Sequence, residues 1–305
     1  MSRYLGFHDY FTEVFGQKVL KLSLEGSFTC PNRDGFVGVG GCLFCAEDDV
    51  DVRSQVKVST QMEEQRRILA GKWPEGVYIA YFQNHTNTYG GIERLRELFY
   101  TALEQPGVVG LAIATRGDCL GEDVLDLLTE LNQHTFLWVE LGMQTIREDT
   151  LDRLNRGYGH QVFDDAVNRL SERGIRCVCH VIFGLPGEDE RDWMHSVDYV
   201  SAQDLFGIKI HSLFIQSNSP IYALYLSGEL IPLDKNRYIS AVCTAIARTK
   251  PSVVFHRLTG DGNKEKLVAP LWAADKLSVL GSIHRELKQR RIVQGMDYPN
   301  SNLYF

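Results

Sequence analysis

The sequence predicts an α/β fold: a partial (β/α)6 barrel of the TIM type with a C-terminal α/β extension. Three observations carry this. Short apolar runs alternate six times with amphipathic helical stretches, the pattern of a parallel sheet flanked by helices. Polar and glycine-rich stretches fall just after the apolar runs, where such barrels keep their chemistry. After about Pro232 the alternation is lost, so residues 1–232 read as the barrel core and 233–305 as an extension packed on it.

Residues 1–16 are an aromatic-rich lead-in. Leu20, Leu22 and Leu24 then share one face, which predicts a strand over 18–24. Thr60-x-x-Glu63 has the form of a capping box and predicts a helix from there to about Ala70. A strand is expected at 77–82, and Ile92, Leu95, Phe99 and Leu103 recur at helical spacing. Further strands are expected at 109–114, 136–141, 175–183 and 208–215. Helices are expected at 123–131, 150–154, 162–173 and 190–202. In the extension, Ile239, Val242 and Ile246 mark one helix and Leu277, Leu280, Ile283 and Leu287 another, with a short strand at 252–256.

Composition narrows the function. A net charge of −7 disfavours a broad nucleic-acid surface, while leaving room for a local basic cleft. The N-terminus has no apolar signal core, and no apolar run approaches the roughly 20 residues of a membrane span. Seven cysteines cannot all pair within one chain, so reduced thiols and a cytoplasmic setting are expected.

Three of those cysteines lie in one stretch, Thr29-Cys30-Pro31-Asn32-Arg33-Asp34-Gly35 through Gly40-Gly41-Cys42-Leu43-Phe44-Cys45. Cys42 and Cys45 have the C-x-x-C spacing that lets two thiolates converge on one metal centre. The glycine-rich insert between Cys30 and Cys42 can fold back on itself. A structural zinc site needs a fourth ligand, for which His8 and Cys119 are candidates. An iron–sulfur cluster held by three thiolates instead leaves one iron open. Spacing alone gives the two equal standing. Glu140 and Lys209 are charges within apolar strands, where an unpaired charge is costly, so a site role or mutual pairing is expected. Cys177, Cys179 and Cys243 are expected to pack as small hydrophobes.

With its barrel motifs, the cysteine stretch resembles the radical S-adenosylmethionine superfamily. The long first cysteine spacing is similar to that of the branch containing the Elongator catalytic subunit, and most of all to the YhcC-like proteins. Cys30-Pro31-Asn32-Arg33-Asp34-Gly35, Phe82-Gln83 with Thr86-Asn87-Thr88-Tyr89, Glu140-Leu141-Gly142-x-Gln144, Asn155-Arg156-Gly157 and Gly184-Leu185-Pro186-Gly187-Glu188 carry the resemblance. So do the late stretches His256-Arg257-Leu258-Thr259-Gly260-Asp261 and Ala269-Pro270-Leu271-Trp272.

The resemblance implies a [4Fe-4S] cluster on Cys30, Cys42 and Cys45, and S-adenosylmethionine (SAM) bound at its open iron. It implies an enzyme that reductively cleaves SAM to a 5′-deoxyadenosyl radical. The substrate, a small metabolite or an RNA, stays open. An electron donor such as flavodoxin or ferredoxin is implied as partner. The backbone near His85 and the Thr86 hydroxyl would receive the methionine ammonium, and Arg156 the carboxylate. Glu140, Gln144 and His180 would meet the ribose, with Gly184 and Gly187 near the adenine. Ala114 stands where many relatives carry glutamate, so either one contact to the methionine ammonium is missing or Thr115 replaces it. The competing expectation is a non-catalytic, zinc-stabilised barrel that serves as a protein-binding module.

Overall fold

Strands that are apolar on one face and mixed on the other curl into a half-barrel in the computed structural model, which describes residues 2–46, 52–260, 262 and 264–298. The chain runs α1 (Phe7–Phe15), β1 (Val19–Leu24), α2 (Val58–Ala70), β2 (Val77–Phe82), α3 (Ile92–Leu103) and β3 (Val108–Thr115). It continues through α4 (Glu122–His134), β4 (Phe136–Gln144), α5 (Glu148–Arg153), α6 (His160–Glu172), β5 (Arg176–Phe183), α7 (Glu190–Ala202) and β6 (Gly207–Ser212). The last part holds β7 (Ile215–Gln216), α8 (Tyr222–Leu226), α9 (Lys235–Arg248), β8 (Val254–Arg257), β9 (Leu267–Ala269) and α10 (Lys276–Gln289). β1 to β6 pair in parallel in chain order, and β8 adds a seventh parallel strand beside β6.

The period-2 alternation of strands sorts the side chains. Leu22, Phe82, Ile113, Val139, Cys179 and Ile210 face the helices and are fully buried with them. Cys177, Cys179 and Cys243 all lie in this core, as expected of small hydrophobes. The opposite face lines the interior of the half-barrel. There the aromatic lead-in acts as a plug: Phe11 of α1 packs 5.3 Å from the ring of Trp138 and 5.3 Å from that of Phe136, ring centre to centre. The lead-in also covers the free edge of the sheet, where Gly6 bridges to Phe255 and Phe255 N donates to Leu5 O at 2.8 Å.

Two expected elements differ. α2 starts at Val58 rather than at Thr60, with no side-chain cap, because buried Val58 and Met62 begin the apolar stripe one turn early. The strand expected at 208–215 is two: β6 ends at Ser212, and β7 pairs antiparallel with β9. Phe214, in the gap, fills the space over Gly260, where an added Cβ would fall 3.0 Å from its ring.

Candidate functional site

The cysteine stretch follows the C-terminal end of β1 and folds as a tight knot. Arg33 N donates to Cys30 O at 2.8 Å, Val37 N to Pro31 O at 2.8 Å, and Asp34 bridges Val39. Cys45 N donates to Cys42 O at 2.9 Å, which turns the C-x-x-C pair back on itself. Asn32 pins this knot to the segment after α5. Its Nδ2 donates to Asn155 O at 2.6 Å and reaches Cys42 Sγ at 3.7 Å. Asn155 Nδ2 returns a bond to Gly41 O at 2.8 Å, and Leu43 N donates to Leu154 O at 2.9 Å. Glycine is required on both sides of Asn32, because a Cβ at Gly38 or Gly157 would fall 2.3 Å or 2.8 Å from its Oδ1.

The thiols are electrostatically prepared. A bond from the Cys45 thiol pulls the Cys42 thiol down to about 7 against its burial, with Arg116, Asn32 and Arg156 contributing. The same bond and burial hold Cys45 well above the usual thiol range. Among the described residues, no group of three His, Cys, Asp or Glu side chains is placed to hold one metal ion. His8, whose ring nitrogens lie 3.1 and 3.3 Å from Lys18 Nζ, is ahead of β1 and at the other end of the strand from the cysteines. Cys119 lines a cavity of about 400 Å3 with Phe36 and Tyr89, its thiol raised first by burial.

The other motifs gather at two depths. At the rim, Thr86 N donates to Thr29 O at 3.3 Å, which sets the His85–Thr86 turn beside Cys30. Arg156 is 2 % exposed; its Nε donates to Tyr158 O at 3.0 Å and its Nη1 to Met143 O at 3.0 Å. Its Nη2 is buried with no partner among the described residues. Arg116, by contrast, is paired to Asp118 at 2.7 Å. Both guanidinium groups stack on Tyr158, at 4.1 Å for Arg156 and 4.7 Å for Arg116. With its amide turned so that the nitrogen faces the backbone, Gln144 donates to Gly142 O at 3.0 Å and Met143 O at 2.9 Å. Gly184 and Gly187, both at positive φ, shape the turn after β5. Thr115 has the parity of the helix-facing Ile113, and its hydroxyl is bonded to Thr88 Oγ1 at 2.6 Å.

Deeper in the interior, Glu140 is the centre of a buried network. Trp138 Nε1 donates to Oε1 at 2.9 Å, and Tyr81 OH donates to Oε2 at 2.7 Å. His180 Nε2 lies 2.9 Å from Oε2, and Lys209 Nζ pairs with the same oxygen. Lys209 also donates to Tyr81 OH at 2.7 Å. Glu140 is held well below the usual carboxylate range: burial opposes ionisation, but Lys209 and His180 outweigh it. Burial pushes Lys209 down to about 8, with Glu140 opposing. The mutual pairing expected of these two strand charges is therefore present. Tyr81, Lys21, His211 and Arg257 were missed from the sequence, although each has the parity or place of an interior residue once the sheet is known.

The fold and rim together define the radical SAM class. The family model "Radical SAM superfamily" matches residues 29–200 and the "Radical_SAM C-terminal domain" matches 206–289. The chain belongs to the radical SAM superfamily. It is 42% identical over 297 residues to YtqA of Bacillus subtilis, covering 96% of this chain and 92% of that protein. It is 33% identical over 284 residues to YhcC of Escherichia coli, covering 92% and 91%. Among solved structures, the Elp3 protein of Methanocaldococcus infernus superposes with a TM-score of 0.69 at 16% identity, over 90% of this chain and 64% of that one. No helix among the described residues is long and apolar enough to cross a membrane.

Proposed function

We propose that the chain is a radical SAM enzyme: Cys30, Cys42 and Cys45 hold a [4Fe-4S] cluster, and SAM is cleaved reductively beside it. The observation that carries this reading is the unpaired, buried Nη2 of Arg156, next to a three-thiol loop. A buried guanidinium donor without a partner is costly, and a carboxylate oxygen would satisfy it with a charge-assisted bond. When bound on Cys30, Cys42 and Cys45, such a cluster would supply the electron for reductive cleavage of a carbon–sulfur bond of SAM, with methionine as the leaving group and hydrogen abstraction from the substrate as the outcome. A one-electron donor, such as a flavodoxin or ferredoxin, supplies that electron.

The protein's own part is positioning and exclusion of water. Arg156, fixed by Met143 O and Tyr158 O, orients the methionine carboxylate. The turn at His85 and Thr86 receives the ammonium, with Thr115 behind it and bonded to Thr88. His180 and Gln144 meet the ribose, and Gly184 and Gly187 let the backbone approach the adenine. Glu140 already accepts from Tyr81, Trp138, His180 and Lys209, which fills a carboxylate's capacity, so in this reading it acts by fixing His180.

The test is anaerobic. The reconstituted chain is reduced with dithionite, given SAM, and assayed for 5′-deoxyadenosine by mass, with Cys45→Ala as control. Product from the unaltered chain and none from Cys45→Ala is expected, and the variant should lose iron while keeping its far-UV signal. Zinc in place of iron, with no product, would instead favour a zinc-stabilised binding module.

A further inference from the structure

On the open side of the half-barrel, between the edge strands β1 and β8, lies a cavity of about 580 Å3 that none of the roles above uses. Lys21, from the inner face of β1, points its ammonium among aromatic rings, 4.2 Å from the centre of Phe7, 5.1 Å from Tyr81 and 5.5 Å from Trp138. Arg257 enters from the end of β8. Neither makes a hydrogen bond or ion pair with any described residue. Lys276 of α10 adds a third cation, and Asp9 is the acidic side chain of the lining.

His256, beside Arg257 on β8, belongs to the aromatic plug: its ring lies 5.4 Å from Phe7, 5.4 Å from Trp138 and 5.3 Å from Phe206, centre to centre. The fold makes room for the ring with a glycine: a Cβ at Gly207 would fall 2.6 Å from its Cδ2. Lys21 is poorly matched by these surroundings. Burial, then Lys209, pushes Lys21 well below the ordinary lysine range, with Arg257 adding to this and Glu140 opposing it. Glu140, the carboxylate of the network beyond Tyr81, is already bound to Lys209.

We propose that this cavity binds a small molecule carrying a phosphate or carboxylate group, with Lys21 and Arg257 on the anion. Making that molecule the substrate rests on the radical reading above; the binding itself does not. Tyr81 is the wall between the two, with one face of its ring near Lys21 and its hydroxyl on Glu140. A small molecule is favoured over RNA because the cations are gathered inside a cavity, on a chain of net charge −7. Binding RNA instead spreads many phosphate contacts over an exposed basic surface. Arg257 of the late motif thereby gains a role; Asp261 of that motif lies outside the described residues.

The test is calorimetric titration of the purified full chain with orthophosphate and, separately, succinate, at low salt. Lys21→Met, Arg257→Gln and, as a surface cation outside the cavity, Arg169→Gln are compared. At least one anion should bind the unaltered chain, and the tighter of the two names the group preferred. Lys21→Met and Arg257→Gln should each weaken that binding tenfold or more, the scale of one lost charge-assisted contact, while Arg169→Gln leaves it unchanged. Arg257→Gln carries the comparison alone if Lys21→Met loses its far-UV signal. Binding of neither anion overturns the proposal, as does binding that survives both cavity substitutions or is lost in Arg169→Gln. The titration needs neither iron nor SAM. A chain that binds the anion but makes no 5′-deoxyadenosine therefore sinks the radical reading alone, and the converse result sinks this proposal alone.

Discussion

Removing Lys209 tests whether the buried network is organised around Glu140. In Lys209→Met the side-chain volume is nearly kept, but Glu140, 1 % exposed, loses its cationic partner. Breaking a buried pair from one side costs about 3–5 kcal/mol, since it strands a charge that the fold cannot solvate. For a chain of 305 residues, an unfolding entropy of about 2.1 cal/mol/K per residue gives roughly 0.64 kcal/mol/K. The expected fall in Tm is then about 5–8 °C. The pH dependence adds a sign. In the unaltered chain Glu140 is held below its ordinary value, so its contribution is present above about pH 4.3 and is lost as pH falls. Without Lys209, burial dominates and raises Glu140, so the variant loses stability as pH rises. The deficit should therefore be larger at pH 7.5 than at pH 5. Denaturant melts of the apo chain at both values measure it, alongside the double variant Lys209→Met/Glu140→Gln, which should recover part of the loss because no stranded charge remains. A deficit under about 1 kcal/mol, or a double variant as costly as the two singles summed, would refute the argument.

Two further outcomes follow from the rim and the plug. Arg156→Ala should weaken SAM binding tenfold or more while iron content stays that of the unaltered chain, measured by equilibrium binding on the reconstituted protein; unchanged affinity removes Arg156 from the site. Phe11→Ala empties the centre of the aromatic plug at a fully buried position and should cost about 3–5 kcal/mol in a denaturant melt. A cost below 1 kcal/mol would mean that the lead-in merely lies on the barrel.

The barrel was legible because strand parity and helix spacing are local properties of the chain. Leu20, Leu22 and Leu24 declare one face of β1, and Cys177 and Cys179 one face of β5, whatever the sheet does later. The rim was legible for another reason: thiols, Asn155-Arg156-Gly157 and the turn after β5 carry chemistry in their residue types. The cavity was not legible. Alternation with Leu20, Leu22 and Leu24 puts Lys21 and Ser23 on the other face of β1 but does not say what that face meets. They become interior only because the sheet curls and residues 2–16 close over them, a fact that no window around Lys21 contains. Likewise the paired charges Glu140 and Lys209 announced a constraint, but their shared partner Tyr81 looked like any strand tyrosine.

The bridge from Gly6 to Phe255 joins positions about 250 residues apart. On a ribosome the lead-in emerges about 250 residues before the strand edge that it covers. Until β8 appears, its phenylalanines have only part of their pocket, and the polar interior stays open to water. The lead-in is thus docked only after β8 is made, and closure of the interior becomes a report that the whole seven-stranded sheet is in place.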